Sequence, residues 1–88
     1  MDMNTGFLWF NNDPKMTLLQ KVQAAVADFQ KKFGRDPEYC LVNVSDTQDS
    51  NLEEIAKICK IIVQSYKFVL PHNFWVGYEE MAVRDEAA

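Results

Sequence analysis

The strongest constraint on the fold is an amphipathic stretch with a short apolar run on either side of it. Leu18, Leu19, Val22, Ala25, Val26, Phe29 and Phe33 recur at three- and four-residue steps, while Lys15, Gln20, Lys21, Gln23, Asp28, Gln30, Lys31 and Lys32 fill the other side. That spacing is one apolar face of an α-helix. Asp13 and Pro14 suit its start, as N-cap and first helical residue, because a proline there has no hydrogen bond to lose. Gly34 stands where a left-handed residue closes a helix, and Asp36-Pro37 turns the chain after it. About twenty residues at ~1.5 Å each predict a rod roughly 30 Å long.

The flanking runs read as strands. Gly6-Phe7-Leu8-Trp9-Phe10 and Tyr39-Cys40-Leu41-Val42-Asn43-Val44 are rich in aromatic and branched residues. Strand, helix, strand predicts two parallel strands joined by a crossover. Ser45 to Asp49 follows as a polar loop, and Ser50 with Glu53 has the spacing of a capping box. Leu52, Ile55, Ala56 and Cys59 line a second, shorter helix. Ile61 to Ser65 is a third strand. Asn73 to Tyr78 is a fourth, which the Leu70-Pro71-His72 turn is expected to fold back as a hairpin partner. The fold class is therefore α/β, or α+β in a stricter count. It is a small mixed four-stranded sheet in the chain order β-α-β-α-β-β, with both helices mainly on one face.

At 88 residues, 48% hydrophobic and 12% aromatic, the chain has the composition of one globular domain. Residues 79–88 hold four acids and one base, a net of −3 out of the total −4. Residues 1–78 are thus nearly neutral and read as the domain, and 79–88 as an acidic, frayed tail. No membrane span is expected, since no run approaches the roughly 20 apolar residues that one needs. An acid at position 2 does not suit an export signal. Lys31, Lys32 and Arg35 are the one local basic group, and they sit where cations complement a helix dipole, so no nucleic-acid partner is expected. Cys40 and Cys59 lie nineteen residues apart on apolar faces, which fits two core thiols in a reducing cytoplasm better than a disulfide or a zinc site.

Strands apolar on both faces belong to sheets covered on both sides. Two helices on one face leave the other bare. Either a second copy covers it, making the protein a homodimer, or residues 66–72 curl over it. The homodimer is the leading expectation, with the protein a non-catalytic interaction module whose partner is itself or another protein. Phe74 and Trp75 beside the proline turn are its candidate binding residues, since aromatics dominate interface hot spots; otherwise they pack the sheet, one on each face.

Chemistry, if present, belongs at the carboxyl ends of the parallel strands. Asp13 and Asp46 there are candidate ligands for Mg²⁺, a cation that takes carboxylate and water oxygens. His72, the single histidine, is the candidate acid or base beside them, so Asp13, Asp46 and His72 form the catalytic alternative. The same residues also suit caps and turns that need no cofactor. No glycine-rich phosphate loop and no nucleophile elbow occurs.

Overall fold

The computed structural model describes residues 5–48 and 50–78. The acidic segment 79–88, the first four residues and Asp49 lie outside the described residues. The elements are β1 (Thr5–Phe10), α1 (Leu18–Phe33), β2 (Tyr39–Val42), a 3₁₀ turn (Val44–Thr47), α2 (Leu52–Cys59), β3 (Ile62–Ser65) and β4 (Asn73–Tyr78). This is an α+β domain built on one mixed four-stranded sheet, as the sequence predicts.

α1 begins later than Asp13. Thr17 is its N-cap: its hydroxyl accepts from the Gln20 N–H at 3.1 Å, and the Gln20 side chain accepts from the Thr17 N–H at 2.9 Å. This reciprocal box satisfies two groups that the Asp13-Pro14 start would leave open. The Asp13 carboxylate turns instead onto the N–H of Lys15. The helix is therefore 16 residues, about 24 Å. Gly34 closes it as expected, at φ 71° with its N–H on Gln30. α2 likewise starts one residue on from the expected box: Asn51, not Ser50, is its cap and accepts from Glu54.

The sheet order is β1-β4-β2-β3. β2 and β3 are parallel, and β4 is antiparallel to both β1 and β2. β1 and β2 thus run the same way, but β4 lies between them, so β4 is not the hairpin partner of β3. Burial explains the choice. Phe74 and Val76 are wholly buried, as central-strand residues are, whereas β3 is four residues long and ends in the polar pair Gln64-Ser65.

Both helices cover one sheet face. Leu18, Val22, Ala25 and Phe29 of α1 and Ile55 of α2 pack on Cys40, Val42, Val63, Phe74 and Val76. Phe29 stacks on Phe33 at 4.3 Å and meets the edge of Tyr78 at 6.0 Å. The Trp9 indole donates to Asp28 at 2.7 Å, tying β1 to α1. On the second face Val69 packs over Tyr39 and Leu41, beside Tyr66 and Trp75. The segment 66–72 therefore covers the β2 part of that face. Leu8 and Phe10 of β1 remain 57% and 60% exposed.

β1 and β4 approach closely at Gly6 and Gly77, which oppose each other. A Cβ on Gly77 would lie 2.2 Å from the Thr5 carbonyl oxygen, and one on Gly6 2.4 Å from that of Val76. Gly77→Ala should therefore push the two strands apart and cost about 2–3 kcal/mol, like other overpacked sites, as measured by urea unfolding.

Candidate functional site

At the carboxyl ends of β2 and β3 the polar residues hold one another. Asn43 follows β2 and caps the 3₁₀ turn, its side-chain oxygen accepting from the Ser45 N–H at 2.8 Å and the Ser45 hydroxyl at 2.6 Å. Its amide nitrogen donates to the Val69 carbonyl at 2.6 Å. One turn on, Asp46 accepts the backbone N–H of His72 at 2.7 Å, and its second oxygen lies 3.4 Å from His72 Nδ1. The Asp46 side chain is 11% exposed and that of His72 49%.

His72 occupies the left-handed region at φ 67°. A residue with a Cβ pays roughly 1–2 kcal/mol for that conformation. The Asp46 carboxylate on its N–H offsets the cost. The same residue passes its carbonyl to the Asn11 N–H at 3.0 Å, and Asn73 N–H closes the turn on Leu70. Asn43 and Asp46 therefore pin both ends of the stretch 69–72, which lies over the second face.

Of the candidate catalytic residues, the structure brings Asp46 and His72 together. Asp13 lies in an exposed turn, and its hydrogen bonds run to Asn11, Lys15 and Met16. An open pocket of about 300 Å³ is lined by Met16, Thr17, Leu18, Lys21, Asp46, Gln48 and Ser50. Neither Asp13 nor His72 lines it. No group of three or more His, Cys, Asp or Glu side chains is gathered to hold a metal ion among the described residues. Phe74 and Trp75 do not form one patch, because alternation along β4 sends them to opposite faces. Phe74 is buried beneath the helices, with its ring 5.5 Å from that of Trp9, and Trp75 is half-buried beside Val69.

Asn43 is the residue that sequence reasoning passed over. Its signal was present, as the one polar residue in an otherwise apolar run. Of the basic cluster, Lys31 and Lys32 lie in the last turn of α1, with the Lys32 ammonium over Phe7, and Arg35 stacks 3.6 Å from the Tyr78 ring centre. Cys40 and Cys59 are free thiols. Burial, with a smaller contribution from Cys59, pushes the Cys40 thiol up to about 12, and burial raises Cys59 too. No helix among the described residues is long and apolar enough to cross a membrane. No family model, curated protein or solved structure matches the chain.

Two outcomes follow from this geometry. Asp46→Ala should lower stability by about 2 kcal/mol, the worth of a charged hydrogen bond. His72→Gly should stay within ~1 kcal/mol of the parent, because glycine relieves the left-handed strain. Urea unfolding of both variants checks this, and a greater loss for His72→Gly would assign the clamp to the imidazole rather than the backbone. For the thiols, the folded state holds the Cys40 proton more tightly than the unfolded chain, whose thiol titrates near 9.0. That contribution is whole below pH 9 and is lost as pH rises toward about 12. At pH 8, a thiol reagent should label Cys59 slowly and Cys40 only on unfolding.

Proposed function

We propose that the protein is a non-catalytic interaction module that works as a homodimer in the cytoplasm. The observation that carries this reading is β1. It is an edge strand of six residues, with no charge, no proline and an unbroken register against β4. Natural edge strands are kept from pairing by charges, prolines, bulges or shortness, and β1 has none of these. β3, at the opposite edge, is protected by its length of four residues. Leu8 and Phe10 add exposed apolar side chains on the face that 66–72 leaves uncovered, and Leu70 on that segment is 69% exposed. A patch of this kind marks a protein contact. The reducing location rests on the two free thiols.

Sedimentation equilibrium tests the reading. The parent should dimerise at micromolar concentration, and Phe10→Lys should be monomeric with an unchanged circular dichroism spectrum. A parent that stays monomeric up to about 1 mM, beyond any useful affinity, overturns it.

A second reading, a small enzyme or ligand-binding domain, is favoured by the Asp46–His72 contact beside the pocket that Lys21 and Ser50 line. In a ¹⁵N–¹H spectrum, Mg²⁺ should then shift the peaks of residues 45–48 and 72. Unmoved peaks leave Asp46 as a clamp.

A further inference from the structure

The backbone of β1 specifies how a second copy docks. The Asn11 N–H bonds the His72 carbonyl at 3.0 Å, and the β1–β4 register places these two residues opposite each other. Hydrogen-bonded pairs in an antiparallel ladder recur every second residue. Thr5, Phe7 and Trp9 therefore direct their N–H and C=O toward β4, and Gly6, Leu8 and Phe10 direct theirs outward. No strand among the described residues pairs with that outer edge.

We propose that two copies join β1 to β1, antiparallel about a two-fold axis at Leu8, into one continuous eight-stranded sheet. This rests on the homodimer reading above and gives it a contact. With Leu8 opposite its own copy, Gly6 falls opposite Phe10 and Phe10 opposite Gly6. All three outward-bonding residues then meet outward-bonding residues, and six backbone hydrogen bonds form. Pairing shifted by one residue would set outward groups against inward ones.

The side chains agree with this register on both faces. On the second face Leu8 meets its copy, and the Phe10 ring comes beside Gly6, where the edge of the Trp75 indole borders the strand. On the helix face Phe7 comes opposite Trp9 of the other copy, an aromatic cross-strand pair. Charge is complementary as well. Lys32 sits over the Phe7 ring, with its ammonium 5.5 Å from the ring centre, and Asp28 is bound to Trp9 at 2.7 Å. Phe7 against Trp9 therefore brings each Lys32 toward the other copy's Asp28, twice by symmetry. A charge-free strand adds no repulsion at the centre. Covering Leu8, Phe10 and the strand edge on both copies removes on the order of 1,000 Å², near the lower end for specific interfaces, so micromolar affinity is expected.

Hydrogen exchange by NMR, with the full chain at high and low concentration, tests the contact. The amides of Gly6, Leu8 and Phe10 should gain at least about tenfold protection in the dimer. Lys32→Glu should weaken the dimer about tenfold. Leu8→Cys should form a linked dimer on mild oxidation, since paired Cα atoms about 5.5 Å apart lie within disulfide range. A dimer in which these three amides exchange freely overturns the β1 pairing and leaves the homodimer reading standing. A chain that is monomeric at every concentration overturns both.

Discussion

β4 runs antiparallel between β1 and β2, and the chain enters it from β3 at the far edge of the sheet. The link 66–72 must therefore pass the carboxyl end of β2 to reach the middle of the sheet. In crossing it lays Val69 over Tyr39 and Leu41, and these three residues become a second buried cluster. A hairpin between β3 and β4 would need no such crossing, and both faces of β2 would then depend on the two helices alone. The position of one strand thus supplies the cover that two helices on a single face cannot.

The polar residues at that end follow from the crossing. A segment laid over a sheet face has backbone groups that need partners. Tyr66 N–H finds the Val42 carbonyl, Val69 carbonyl finds Asn43, and His72 N–H finds Asp46. Asp46 and His72 resemble a catalytic pair in composition, yet the shorter of their two contacts runs to the backbone of His72. That bond holds a left-handed turn, and the turn aims Asn73 into the sheet opposite Phe10.

The sequence made the helix faces legible because packing on a sheet demands the same 3.6-residue spacing wherever the helix lies. Leu18 to Phe29 and Leu52 to Cys59 read directly for that reason. The helix starts were less legible. Asp13, Thr17, Ser50 and Asn51 are all competent caps, and the choice rests on which neighbour can reciprocate, as Gln20 does for Thr17. Val44 is apolar enough to continue β2, but Asn43 starts the 3₁₀ turn and leaves Val44 64% exposed. The place of β4 was not legible at all. Local pattern says that a strand is buried on both faces; it does not say between which partners.

The two edges of the sheet show how far a small chain can settle its own surface. β3 is short and polar at its end, so it gains little by pairing. β1 is longer, uncharged and regular, and its inner side is fixed by Trp9 on Asp28 and by the close Gly6–Gly77 approach. Alongside those contacts the register against β4 runs without a bulge that would twist the outer side away. The features that bind β1 firmly to its own domain therefore also leave its outer edge regular.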